Sequence, residues 1–426
     1  MNTVASQTRS LIKRKYLSII LPTFVGSVIA YLDRVNIAYA ALTMNEDLGF
    51  SARIFGMGAG IFFLGYVLFE IPGALIAERW SPRIWIARIM ITWGMISFCM
   101  AFIRSDGQFY LVRFLLGAAE ASFYPVVYAS IIPRWFTPEE RPQAIAVMLA
   151  SLPISAIIGS PLAGWLLGYQ VFDLKGWQIL FITESIPAVI FGIAILYLLA
   201  DWPEQARWLT SEERQDLTTC YKKETAAKTS MRHYTVREAL CHREVIKLCL
   251  IYFLWITGYW GFNYWMPSAL KEVSGWSNFA IGWLMVIPMT LSLIAMIWVG
   301  SSSSETGEKR WHGALPMFIG AVGMGFGSFV RDPLVNLVFV CITAIGVYSA
   351  FGVWWSYPTT FLSGAAAAGA MGLINSFGNV GGYVGPYLTG YIKDMTGSFL
   401  WAYVYLACSL AAAGGLMLTL KNKAPL

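Results

Sequence analysis

Long apolar runs separated by short polar stretches decide most of what this chain can fold into. Twelve of them fall near 17–42, 54–78, 82–104, 108–133, 142–168, 178–200, 244–270, 277–300, 312–331, 334–362, 366–392 and 398–420. Each is long enough to cross a hydrocarbon layer about 30 Å thick. Lipid offers no partner to a backbone N–H or C=O, so a spanning run must close its hydrogen bonds internally. The alternation of barrel strands is absent, which leaves helices. The expected fold class is an all-α polytopic membrane protein with twelve transmembrane helices. Composition agrees: 57% of the 426 residues are hydrophobic and 13% charged, with a mean hydropathy of +0.59. A soluble domain of this length would carry far more charge.

The basic residues set the orientation. Arg9, Lys13, Arg14 and Lys15, then Arg79 and Arg83, Arg134 and Arg141, Lys309 and Arg310, and Lys421 and Lys423 all fall on one side of the predicted layer. The other side carries mostly single ones, Arg53, Arg104, Lys175, Lys271, Arg331 and Lys393. Positive residues stay inside, so both termini and the polar segment 201–243 are expected in the cytoplasm. Reading the basic start as a cleaved signal peptide fails, because charges lie just before the supposed site and the apolar run is long enough to span. A net charge of +6 spread over short loops excludes nucleic acid as a partner. The cysteines Cys99, Cys220, Cys241, Cys249, Cys341 and Cys408 lie far apart, so free thiols and no metal site are expected. His233, His242 and His312 fall in or beside polar segments, which excludes a membrane-embedded histidine relay.

A weak internal repeat suggests duplication. One shift superposes Leu162, Gly164 and Trp165 on Leu388, Gly390 and Tyr391, and also places 74–83 on 300–309. The expected layout is a six-helix bundle over 1–200, a cytoplasmic linker over 201–243 and a second bundle over 244–426.

Charges inside the runs point to function. Asp33 and Arg34 sit side by side in the first run, and a charge at the bilayer centre costs roughly 2.5–3.5 kcal/mol. Two adjacent ones persist where they face a polar interior. Glu70, Arg113, Glu120 and Glu184 lie in the same half, whereas the second half offers Tyr259, Trp260, Asn263, Tyr264, Trp354, Trp355, Ser356, Asn375 and Asn379. Charge coupling is therefore expected in the first half and substrate contacts in the second. Packing and interface belts account for more than half of the 18 tryptophans, and Asn375 and Asn379 serve equally well as interhelical glue. Arg113 and Glu120, seven apart, share one helix face about 10 Å from each other, and their helix is expected to continue into a kink at Pro125. Glu184 reads as structural or functional with equal weight.

Read in order, several stretches resemble the major facilitator superfamily, and within it the anion:cation symporters for organic acids. They are Tyr31-Leu-Asp-Arg-Val-Asn-Ile37, Arg113-Phe-Leu-Leu-Gly-Ala-Ala-Glu-Ala121, Pro133-Arg-Trp-Phe136, Gly159-Ser-Pro161, Gly176-Trp-Gln-Ile-Leu-Phe181, Asp201-Trp-Pro-Glu204 and Asn375-Ser-Phe-Gly-Asn379. The resemblance implies a monomeric carrier in the cell inner membrane that brings in a small organic anion with H+, without a cofactor. It implies Asp33 and Glu120 as proton sites, and Arg34, within the motif begun by Tyr31, as the anchor for the substrate carboxylate. Arg113 pairs with charges in the cavity, and Tyr66 joins with Asn375 or Asn379 at the substrate.

Departures from the family pattern carry their own expectations. Glu70 stands where a neutral polar residue belongs, which makes it a third proton site or a substrate filter. The cytoplasmic gating loop keeps Glu78, Arg79 and Arg83 but loses its glycines, and its second copy, 300–309, loses the acid and the arginine. Gly159-Ser-Pro161 also resembles an antiporter motif, so an organic-anion exchanger or a proton-coupled exporter is the alternative. No serine, histidine or metal constellation within the runs suits an intramembrane enzyme, and the tails are short for a sensor.

Overall fold

The structure, a computed structural model, describes residues 10–230, 243–355, 357 and 364–420, except for the side chains of 225–230 and 364–369. Arg9, His233, His242, Cys241, Ser356, Lys421 and Lys423 lie outside the described residues. Six long helices come first: α1 Ser10–Leu48, α2 Ala52–Arg79, α3 Pro82–Met100, α4 Asp106–Glu120, α5 Arg141–Leu166 and α6 Gly176–Leu198. A polar helix, α7 Ser211–Ser230, follows. Six more complete the chain: α8 Arg243–Ser274, α9 Asn278–Thr306, α10 Arg310–Gly327, α11 Pro333–Trp354, α12 Gly364–Thr396 and α13 Leu400–Leu418. Ten of these segments, the fourth counted through its break to Trp135, are apolar and long enough to cross a membrane; α10 and α12 bring the two sets to six each.

Helix starts follow ordinary capping chemistry. Ser51, Ser81, Ser105 and Ser277 each accept a backbone N–H three residues on, and Asp332 accepts those of Leu334 and Val335 ahead of Pro333. Gly49 and Gly307 end α1 and α9 with φ near +67° and +69°, a conformation that disfavours a side chain.

The fourth segment departs from the expected kink at Pro125. Helix α4 stops at Glu120; Ala121 turns to ψ 144° and Ser122 takes φ 73°, before helical turns resume over Phe123–Trp135. A proline ring clashes with the carbonyl four residues earlier, here that of Ala121, so the chain breaks there rather than at the proline. The Ser122 hydroxyl donates back to Ala121 O and accepts from Trp85 Nε1 at 3.0 Å, which fixes the break.

Glycines set how closely the helices approach. A Cβ on Gly117 would collide with the Phe62 carbonyl, and one on Gly65 with that of Phe114, so α2 and α4 touch backbone to backbone. The two halves meet in the same way at the face away from the termini. A Cβ on Gly60 would lie 2.7 Å from Tyr383 O, and one on Gly164 2.7 Å from Asn278 O. Asp394 accepts the N–H groups of Ala52 and Arg53 at 3.0 and 2.8 Å, closing that end.

On the terminal face α7 and its approach pack against the first half. Arg14 forks onto Glu213 and Arg141 onto Glu224, while Asp201 accepts from Ser81 Oγ at 2.7 Å and Arg83 N at 2.9 Å. Of the three gating-loop residues, Arg83 thus joins a charge cluster. Glu78 and Arg79 are exposed and make no ion pair among the described residues. In the second copy of that loop, Glu308 caps α10 through Trp311 N and His312 N and bonds His312 Nδ1 at 2.9 Å. A local cap stands where the charge cluster is missing.

Candidate functional site

The adjacent charges of α1 separate. Consecutive helical residues diverge by about 100°, so Asp33 and Arg34 face different neighbours. Arg34 turns to the middle of the molecule and pairs through Nη2 with Glu120, the last residue before the break in α4. Both are buried. Five rings surround the guanidinium, those of Phe62 at 5.1 Å, Tyr31 and Tyr66 at 5.2 Å, and Tyr124 and Trp260 at 5.8 Å. Each such contact adds roughly 0.5–2 kcal/mol, and Trp260 comes from the second half. The Arg34 Nε has no hydrogen-bond partner among the described residues.

Arg113 shares the face of Glu120, as the spacing predicts, yet in this structure it pairs with no carboxylate among the described residues. Its guanidinium donates to Gly58 O at 3.2 Å, Ala59 O at 3.3 Å and Tyr264 Oη at 3.5 Å. The carbonyls come from α2 and the tyrosine from α8, so Arg113 ties the halves together beside Phe62, 4.9 Å away.

Glu70 makes the second cross-half contact. Its carboxylate accepts from Asn375 Nδ2 at 2.5 Å and Asn379 Nδ2 at 3.3 Å, both on α12. The two asparagines thus act together. Tyr66, one turn earlier on α2, borders the Arg34 cage, so Glu70 adjoins the same centre.

Asp33 is not part of this centre. It accepts from Trp93 Nε1 at 2.6 Å, Ser97 Oγ at 2.9 Å and Asn36 Nδ2 at 3.3 Å, inside the first half against α3. Most aromatics of the second half pack among themselves: Tyr252 stacks on Trp354 at 5.3 Å, and Tyr348 donates to Asn263 Oδ1 at 2.6 Å. Trp355 lies at the edge of that cluster, 5.4 Å from Tyr252. A crevice lined by Met266, Glu272, Met324, Arg331 and Tyr403 lies within the second half, away from the charges.

Residues that were not foreseen complete the centre. Phe62 is four before Tyr66 and eight before Glu70 on α2, and could have been found by extending the helical period from that acid; Tyr124 lies past the break in α4, where the period does not carry. Trp93 and Ser97, also one turn apart, give no sign in the sequence of facing Asp33.

Comparison with known proteins places this geometry. A protein named as a tartrate transporter in Agrobacterium vitis is 42% identical over 400 residues, covering 93% of this chain and 91% of its own. The metabolite transport protein NicT of Pseudomonas putida is 38% identical over 90% of each chain. The inward-open xylose transporter XylE of Escherichia coli superposes with a TM-score of 0.74 over 96% of this chain and 97% of its own, at 16% identity. The sequence pattern of the Major Facilitator Superfamily matches residues 23–386. With this match, these relatives and, among the described residues, helices in two sets of six, the chain belongs to the major facilitator superfamily and is a membrane transporter.

Proposed function

We propose that the chain is a proton-coupled symporter that imports a small organic carboxylate by alternating access. The pair of Arg34 and Glu120, closed in its aromatic cage, carries the reading. A planar guanidinium matches a carboxylate with two parallel bonds, so a substrate anion competes with Glu120 for Arg34. Leaving Glu120 ionised and alone would cost roughly 3–5 kcal/mol in so buried a place. A proton on Glu120 removes that cost. Anion and proton then bind best together, and each raises the affinity for the other by the same factor.

In this reading Asp33, Glu120 and Glu70 handle protons. Arg34, Arg113, Tyr31 and Tyr66 bind substrate from the first half, and Trp355, Ser356, Asn375 and Asn379 from the second. Residues 1–200 and 244–426 rock as two bodies joined by the cytoplasmic linker 201–243. The carrier works as a monomer in the bacterial inner membrane with both termini in the cytoplasm. The backbone contacts that close the face away from the termini support a conformation that opens toward the cytoplasm. The relatives named for tartrate make a compact dicarboxylate the first candidate substrate.

A panel of tartrate, sugar acids and aromatic acids, screened by thermal stabilisation of the purified protein, selects the ligand. In proteoliposomes the selected acid should then accumulate when the outside is acidified. Glu120→Gln should keep counterflow and lose accumulation. Accumulation that survives in Glu120→Gln moves the proton site elsewhere, with Asp33 the first candidate. Efflux under the same gradient, or uptake that needs only a counter-anion, establishes the exporter or the exchanger instead.

A further inference from the structure

Inside the first half, away from Arg34, a second pair of acids has no cation. Asp33, Asn36 and Glu184 are 2%, 2% and 5% exposed. Asp33 accepts three donors, from Trp93, Ser97 and Asn36, a setting that suits an ionised carboxylate. Glu184 on α6 faces Asn36 and lies near Asp33. Among the described residues its Oε2 has no hydrogen-bond partner, and neither has Asn36 Oδ1. No lysine, arginine or histidine bonds or pairs with either carboxyl among the described residues. The other groups around them are neutral, Trp93 and Ser97 from α3, Tyr39 from α1 and Ser160 from α5 beside Tyr39, save Glu120 on α4, whose charge also reaches Asp33 but which is paired with Arg34. Arg113 on α4, whose charge acts on Asp33, is itself bonded to carbonyls of α2.

Two neighbouring carboxylates buried without a cation cannot both be ionised. We propose that Glu184 holds a proton and forms with Asp33, through Asn36, one proton-binding unit separate from the Arg34–Glu120 pair. A proton on Glu184 Oε2, donated to Asn36 Oδ1, gives both unpartnered oxygens a partner. The Asn36 amide N–H already points at Asp33, so the chain runs Glu184 to Asn36 to Asp33. Asp33 therefore gains or loses a proton only as a member of the pair. The inference rests on the proton-coupled reading for its use in transport, but the protonation itself stands or falls without it.

Infrared difference spectroscopy of the purified carrier tests it, with no transport involved. Wild-type protein at neutral pH should show the C=O stretch of a protonated carboxyl that Glu184→Gln removes. In Asp33→Asn the negative neighbour is gone, so the same band should disappear at a pH lower by about one unit or more. A glutamate held by packing alone would not respond to Asp33. If Glu184→Gln does not fold, carbon-13 labelling of glutamate in protein carrying Glu70→Gln and Glu120→Gln, with and without Asp33→Asn, identifies the band by its isotope shift. Absence of a protonated Glu184 at neutral pH, or a titration identical in the two backgrounds, overturns the proposal. Loss of coupling in Glu120→Gln would bear on the transport reading alone.

Discussion

Replacing Glu70 by glutamine tests whether this residue latches the two halves. Its carboxylate receives one short bond from Asn375 at 2.5 Å and a long one from Asn379 at 3.3 Å. A hydrogen bond to a charged group is worth roughly 1.5–3 kcal/mol net, a neutral one roughly 0.5–1.5. A glutamine amide can turn its oxygen to Asn375 and keep a neutral bond there. Its NH2 then meets the NH2 of Asn379, and that weaker bond is lost unless Asn379 flips. The net loss is about 1–2 kcal/mol, or roughly 5- to 30-fold in an equilibrium. Side-chain bonds between α2 and α12, followed toward the terminal face, end at Glu70 among the described residues, so the loss falls on closure of that face. Spin labels at Trp80 and Gly372, past the latch on α2 and α12, should report a wider distance population enriched by that factor. Asn375→Ala removes the short bond outright and should also enrich the wider population, and because both substitutions act on that bond the double variant should show less than the sum of the two effects. Distance distributions that superimpose for wild type and Glu70→Gln would refute the latch.

Further outcomes follow from the same geometry. Substrate affinity in Glu70→Gln should tolerate higher pH than in wild type, since the variant needs one proton fewer to accept an anion; superimposed affinity-against-pH curves return Glu70 to a structural role. Arg34→Lys keeps the charge but loses the fork, so titration calorimetry should find binding weakened at least about tenfold, and unchanged affinity sinks the anchor. Gly117→Ala places a methyl against the Phe62 carbonyl and should lower thermal stability by about 1–3 kcal/mol; an unchanged melting curve contradicts the close approach of α2 and α4. Burial pushes the Glu308 carboxyl up, but the Trp311 N–H and the His312 ring and N–H outweigh it and hold it below its ordinary 4.5. Its stabilising effect is therefore present above that value and fades as pH falls through the lowered one. Melting curves of Glu308→Gln should converge on wild type in acid and fall below it at neutral pH, and a constant difference counts against the cap.

The helices and the charged half were legible because their causes are local. Hydrocarbon thickness sets the length of a run, and the cost of an isolated charge marks Asp33, Arg34, Glu70, Arg113 and Glu120 whatever surrounds them. The break in α4 was half legible: Pro125 announces it, and counting back four residues to the carbonyl it displaces would have put it at Ala121. What remained closed to sequence reading is partner choice across long separations. Arg34 finds Glu120 rather than the aspartate beside it because successive helical side chains diverge, and the rotation of α1 is set by packing chiefly against α5, α6 and α8. Glu70 finds Asn375 and Asn379 about three hundred positions away, at a meeting of halves that a single chain does not spell out.

That divergence also bears on mechanism. Were Asp33 and Arg34 a mutual ion pair, protonating the acid would free the base and one site would suffice. Because Arg34 answers to Glu120 while Asp33 answers to Trp93, Ser97 and Asn36, neutralising Asp33 leaves the Arg34 pair intact. Asp33→Asn should then preserve substrate affinity while changing how transport depends on pH, whereas Glu120→Gln should change both, because it also releases the anchor. Binding and gradient-driven uptake measured on the two variants side by side separate these roles. An Asp33→Asn protein that loses binding as fully as Arg34→Lys would mean that the two residues of α1 act as one.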